Sequence, residues 1–166
     1  MLGSFLRGAL IATILISLVD TVSIMVRYHP FQNVYFNRLA GENMTAADKN
    51  YSMDYWALAH KKGFEFILKH DPSSHISIFS EGAGNALLFS EEERKRLELL
   101  SRWPWDAKYY ITHYQWFNLP RWKDLDLSNK PEVYSIKIDG AKIMGVYRMD
   151  TVFPNAARNP KEKNDA

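Results

Sequence analysis

Few residues in this chain have the chemistry to hold or transform a ligand, and they are scattered. Five histidines stand at positions 29, 60, 70, 75 and 113. Their spacing makes no recognisable metal-ligand motif, and Asp71 beside His70 does not complete one, so no metal site is expected. Asp54, Glu65 and Glu81 are carboxylates that could pair in space for general acid–base work, although solvated helix positions account for Asp54 and Glu65 equally well. Cysteine is absent, which removes disulfides and thiol chemistry. The run Ser80-Glu81-Gly82-Ala83-Gly84-Asn85 has two glycines that could bring backbone amides up to a phosphate. However, Leu87 stands where a dinucleotide fingerprint needs its third glycine, and no P-loop lysine follows. Ser80 is not in a G-x-S-x-G elbow either. A plain tight turn is expected there, and no cofactor.

Aromatic side chains crowd residues 103–122: Trp103, Trp105, Tyr109, Tyr110, Tyr114, Trp116, Phe117 and Trp122. Such rings can stack on sugar faces or sit at a bilayer interface, and alternate members of a strand can equally fill a core. The core reading suits Tyr109, Ile111 and Tyr114. Trp116 and Trp122, in a proline-containing loop, are expected to be partly exposed.

What must position these groups begins with a greasy opening. Between Arg7 and Arg27 lie nineteen residues whose only ionised side chain is Asp20. As a helix they rise about 28 Å, which matches a hydrocarbon core of about 30 Å. A cleaved signal peptide is the rival reading. Against it, no small-x-small site follows, since the flank reads Val19, Asp20, Thr21, Val22, and apolar character resumes through Ile24, Met25 and Val26. A retained single-pass anchor is therefore expected. A carboxylate at mid-bilayer costs about 2.5–3.5 kcal/mol, less toward an interface. Asp20 either sits shallow and reaches the headgroups or faces neighbouring helices, where Thr13, Ser17, Thr21 and Ser23 add hydrogen-bonding groups. Charge does not set the orientation, because Arg7 lies on one side and Arg27 and Arg38 on the other.

Beyond the anchor, Pro30 ends the helix, and Tyr35 and Phe36 suit a membrane–water interface. Residues 40–52 read as a loop. Residues 53–70 read as an amphipathic helix with Ser52 as its N-cap, stopped at Asp71-Pro72. An apolar strand is expected over 75–80 and a helix from the Ser90 cap to about Arg102, with acidic residues in its first turn. A second strand is expected over 107–115. The clearest local signal is a hairpin, EVYSIKI and AKIMGVYRM around Asp139-Gly140, which suits a type I′ turn. The expected architecture is α/β: an N-terminal transmembrane helix (1–27), then a small α/β sandwich with a mixed sheet ending in a β-hairpin (28–150), then a polar tail (151–166). The loop after the 75–80 strand then lies on the side where such sheets bind ligands. Net charge is +2, from 21 basic and 19 acidic residues well interspersed, so nucleic acid is not an expected partner.

The stretch Val26-Arg27-Tyr28-His29-Pro30-Phe31-Gln32-Asn33-Val34-Tyr35-Phe36-Asn37, then Gly41, then Asp54-Tyr55-Trp56-Ala57-Leu58, resembles a segment of bacterial GT-C-type membrane glycosyltransferases of the family 39, protein-mannosyltransferase-like group. Those enzymes often read H-P-[YF]-Q-x-V-Y-[YF]-N after their last transmembrane helix, then two glycines, then [ED]-x-D-Y-W-G. Ile143, Val146, Tyr147 and Arg148 fit the family's terminal I-x-x-V-Y-R. Departures are Glu42 for the second glycine, Ala57 for the glycine after Trp56, and Ala59 where serine is common. The resemblance implies the last helix and extracytoplasmic C-terminal domain of such an enzyme: a C-terminal fragment or accessory domain, using a lipid-linked sugar donor and not catalytic alone. The family's catalytic acid lies in an early loop within a many-helix bundle, so no catalytic residue carries over. Implied partners are membrane lipid, other helices of a glycosyltransferase bundle, and glycan or polyprenyl-phosphate sugar. The alternative is an autonomous anchored module binding glycan or headgroup. Candidate ligand or membrane-interface residues are Tyr28, His29, Gln32, Tyr35, Asn37, Asp54, Trp56, Glu81, Trp116 and Trp122.

Overall fold

A computed structural model describes residues 2–35, 43–48, 51, 53–113 and 125–150. Helix α1 (Leu2–Arg27) is continuous through the apolar run, and it is the one helix among the described residues long and apolar enough to cross a membrane. None of its apolar window is buried by the rest of the chain. Its hydroxyls turn inward on the helix: Thr13, Thr21 and Ser23 donate to the carbonyls of Ala9, Ser17 and Val19, four residues back. A single such helix near the N-terminus fits a membrane anchor.

The helix stops where Pro30 forbids its continuation, and a 3-10 turn over Gln32–Val34 follows. A short helix, α2 (Met44–Asp48), stands within the segment read as loop, because the Asn43 side chain accepts from Ala46 N at 2.9 Å and caps it. Helix α3 (His60–His70) is shorter than the sequence pattern suggests, since residues 53–56 form a turn. Ser52 lies outside the described residues. The amides before α3 are satisfied by Asp54, which accepts from Leu58 N (3.0 Å) and Ala59 N (2.7 Å).

Five strands form one open, mixed sheet: β1 (Ile76–Ser80), β2 (Leu97–Leu100), β3 (Tyr109–Thr112), β4 (Glu132–Ile138) and β5 (Ala141–Arg148), in the order β2-β1-β3-β5-β4. β1 pairs parallel with β2 and β3, while β5 pairs antiparallel with β3 and β4. The α/β mixed-sheet expectation holds. The β4–β5 turn has φ of 46° at Asp139 and 86° at Gly140, both positive as type I′ demands.

The helix expected from Ser90 to Arg102 is a correction. Ser90 does form a capping box with Glu93, but α4 covers only Glu91–Lys95. Leu97–Leu100 is instead an edge strand, with Leu97 opposite Ile76 and Leu99 opposite Ile78. Burial drives this choice, because β1 is buried along most of its length and its outer edge must be hydrogen-bonded.

Helix α3 lies against one face of the sheet, where Phe64, Ile67, Ile76, Ile78, Ile111, Ile143 and Val146 form the main core. Gly63 permits this approach, since a Cβ there would meet the Ile111 and Val146 side chains at 3.0 and 3.2 Å. The other face buries Phe79, Tyr110, Leu125, Tyr147 and Met149. β3 is thus covered on both sides, and all four of its residues are buried. Tyr109 and Ile111 are core, as expected, and Tyr114 lies outside the described residues.

Candidate functional site

The parallel strands β1 and β3 are neighbours, and the chain leaves them in opposite directions. From β1 it passes to β2 on one side; from β3 it passes to β4 and β5 on the other. Such a divergence opens a crevice at the carboxyl ends of the two strands. The first residues beyond those ends are Glu81 and His113, and both line a cleft of about 440 Å³. Its other walls are Tyr55, Trp56, Ala57, Gly82, Gly84, Asn85 and Leu88. Trp56 and Tyr55 stand on the rim, 72% and 61% exposed, edge to face with 5.2 Å between ring centres.

Beneath the cleft is a buried polar chain. His60, the first residue of α3, is fully enclosed. Its Nδ1 lies 2.8 Å from Ser80 Oγ, and its Nε2 lies 3.0 Å from His113 Nδ1. His113 Nδ1 in turn lies 2.9 Å from Glu81 Oε2. The Glu81 carboxylate accepts from the Tyr110 hydroxyl, from Thr112 Oγ1 at 2.9 Å and from His113 N at 3.0 Å. Gly82 N points at both His60 Nδ1 (3.1 Å) and Ser80 Oγ (3.2 Å). Only glycine fits at that point: a Cβ on residue 82 would come within 2.7 Å of Ala57 Cβ and 2.8 Å of the His60 ring.

Electrostatics set the protonation of this chain. Burial, helped by the neighbouring His113, holds the His60 pKa down to about 3, so its imidazole is neutral at physiological pH. Burial pushes the Glu81 carboxyl up, but the hydrogen bonds from His113 and Tyr110 outweigh it and leave the group below its ordinary range. Burial and the Glu81 charge push the Tyr110 phenol far up, which keeps it a donor.

The sequence-derived candidates separate into groups. Trp56 and Glu81 meet at the cleft. Asp54 does not join them: it is fully buried, and besides the two amides before α3 it accepts from Asn33 Nδ2 at 3.0 Å. It acts as a structural cap and not as a solvated helix position, which corrects that reading. Tyr28 is buried and donates its hydroxyl to Asp139 at the hairpin turn, while Arg27 Nη2 lies 2.6 Å from the same carboxylate. Burial, then the bond to Asp139, raises the Tyr28 pKa to about 12. The motif residues therefore tie the end of α1 to the β4–β5 turn. Gln32 Nε2 donates to Met25 O at 3.2 Å and contacts Nδ1 of the exposed His29 at 3.0 Å. Tyr35 sets its ring edge-on to Tyr28 at 5.4 Å. Tyr28, Gln32 and Tyr35 line a smaller recess of about 150 Å³ with Asp20, Thr21, Ile24 and Met25. Asn37, Trp116 and Trp122 lie outside the described residues.

Sequence reasoning passed over His60, Ser80, Tyr110, Thr112 and His113 as a group. Positions 60, 80–81 and 110–113 have no common spacing. A signal was nonetheless present, since Glu81 and His113 each directly follow an apolar strand, ISIFS and YYIT. No family model, no curated protein and no solved structure matches the chain.

Proposed function

We propose that this chain is a membrane-tethered carbohydrate-binding domain, facing outside the cytoplasm, that serves as an accessory part of a polytopic glycosyltransferase using a lipid-linked sugar donor. The observation that carries this reading is the cleft itself. It sits at the carboxyl ends of two parallel strands, its size falls within the range of about 300–1,000 Å³ usual for small-molecule sites, and an exposed Trp56–Tyr55 pair rims a polar floor. Aromatic faces with hydrogen-bonding groups below them suit the apolar faces and hydroxyls of a sugar. The resemblance of the Val26–Asn37 and Asp54–Leu58 segments to family 39 enzymes supplies the sugar-transfer context. The domain binds, and the chemistry belongs to the partner's helices.

The test is titration of the full-length chain, reconstituted in lipid nanodiscs, with monosaccharides and short polyprenyl-phosphate sugars, followed by tryptophan fluorescence. Saturable binding that weakens about two- to tenfold in Trp56→Ala is the expected result, in line with a stacking contribution of roughly 0.5–1.5 kcal/mol. No binding by any of these ligands overturns the reading. Sugar transfer by the chain alone would overturn the accessory role. The back-bonded hydroxyls of α1 favour a second reading, a lone anchored module, because Thr13, Thr21 and Ser23 spend their protons on the helix's own carbonyls. Copurification separates the two, since only the first demands a polytopic partner.

A further inference from the structure

The His60–Glu81–His113 cluster has a chemistry that sugar binding leaves unused. A nitrogen from each imidazole and a carboxylate oxygen converge within 4.8 Å of one another. Neutral imidazole carries one proton on two nitrogens. If His60 holds its proton on Nδ1, that proton goes to Ser80 Oγ and Nε2 is a bare lone pair. The Nδ1 proton of His113 must then serve His60 Nε2 and Glu81 Oε2 at once. If His60 holds its proton on Nε2, His113 Nδ1 becomes the lone pair and faces the Glu81 carboxylate at 2.9 Å. Either way three electron-rich atoms share one proton.

A cation resolves the conflict. We propose that His60 Nε2, His113 Nδ1 and Glu81 bind a divalent transition metal of the zinc class. Two imidazoles and a carboxylate are a ligand set that zinc accepts, with bonds of about 2.0–2.2 Å. A tetrahedral centre with such bonds spaces its ligand atoms about 3.3–3.6 Å apart; the pairs at 3.0 and 2.9 Å need to open by a few tenths of an ångström, and the third pair, His60 with Glu81, starts within 4.8 Å and closes to the same spacing. The outer contacts already suit ligation. Ligation through Nε2 requires the His60 proton on Nδ1, where Ser80 Oγ at 2.8 Å accepts it, and the Gly82 amide, 3.1 Å from that nitrogen and 3.2 Å from that oxygen, then donates to the oxygen alone. Tyr110, Thr112 and the His113 amide fix the Glu81 carboxylate. Metal ligands are commonly held by such second contacts. The displaced proton moves to His113 Nε2. Glu81 and His113 line the cleft with their side chains nearly enclosed, so a fourth ligand, water or an oxygen of the cleft's ligand, would enter from the cleft side. This site does not depend on the ligand being a sugar.

The experiment uses the full-length chain, stripped with a chelator in detergent and titrated with Co²⁺ and with Zn²⁺ in competition. One metal per chain is expected, with the visible absorption of four-coordinate cobalt. His113→Gln and Glu81→Gln are expected to weaken binding at least about 100-fold, and Ser80→Ala, which removes a positioning contact and no ligand, about 10–100-fold. The exposed histidines give the control: a chain with His29→Gln, His70→Gln and His75→Gln together keeps its affinity. Absence of uptake by the stripped wild-type chain overturns the proposal. So does loss of uptake in the triple variant, or a Ser80→Ala chain that binds as the wild type does. Should a ligand variant fail to fold, the wild-type stoichiometry, the triple variant and Ser80→Ala still decide the matter. Sugar titration of the metal-free chain reads the proposed function separately, so the failure of one leaves the other standing.

Discussion

Ala57 sits at the lip of the cleft with φ of 54°, a left-handed conformation that costs a residue with a Cβ about 1–2 kcal/mol. Its neighbours hold it there: Ala57 N donates to Asp54 O at 2.8 Å and Ala57 O accepts from Asn85 Nδ2 at 3.0 Å. Glycine adopts such a positive φ without the Cβ penalty. Ala57→Gly is therefore expected to stabilise the fold by about 1 kcal/mol, read as a higher urea midpoint with unchanged slope. His60 supports a second prediction. Above about pH 6.5 it is neutral both folded and unfolded. Below that, the unfolded chain takes up a proton that the folded chain refuses until about pH 3. Stability is thus expected to fall as pH drops through this window, by up to about 1.4 kcal/mol per pH unit. Thermal unfolding between pH 7 and 4 checks it, and His60→Gln is expected to flatten the slope. Neither property was legible in the sequence. A histidine ten residues before another looks the same whether it ends up solvated or enclosed, and burial is decided by which strand ends meet above it.

Elements whose identity rests on local chemistry were readable, and those decided by partners were not. The β4–β5 hairpin is the clear case of the first kind, because Asp139-Gly140 suits type I′ geometry whatever surrounds it. Gly140→Ala is expected to cost about 1 kcal/mol, since φ of 86° disfavours a Cβ, and a Cβ there would also stand 3.1 Å from Thr45 Oγ1. Chemical denaturation measures the loss. Residues 96–102 are the second kind. Ser90, the glutamates and the basic residues after them announce a helix, and the capping box forms, yet β1 captures Leu97–Leu100 as a strand. The start of α3 was misplaced for a related reason: Asp54 satisfies amides at 58 and 59 from outside the helix, a role that depends on Asn33 lying beside it. The site was half visible. The turn after β1 and its ligand-binding side followed from strand order, but His113 joins it only because β3 pairs with β1 in parallel.

At the scale of the whole molecule, the end of α1 is tied to the domain through its last turn, where Ile24 also packs on the main core. Arg27 and Tyr28 both engage Asp139, so the end of α1 is fixed to the tip of the β4–β5 hairpin. Asp20 lies seven residues before Arg27, about 10 Å along the helix at about 1.5 Å per residue. That depth carries the carboxylate past the headgroups toward hydrocarbon, where its cost approaches the range of about 2.5–3.5 kcal/mol unless something answers it. Asp20 lines a recess with Tyr28, Gln32 and Tyr35, and in the proposed bundle a neighbouring helix would donate there. Asp20→Leu discriminates the two anchors. If α1 is one helix of a larger bundle, the variant stays in membranes, resists alkaline extraction as well as the wild type does, and loses most of its copurifying polytopic partner. If α1 stands alone, the same variant inserts more favourably and its copurification profile is unchanged. The first outcome is expected, because a carboxylate at that depth persists where a partner repays its dehydration.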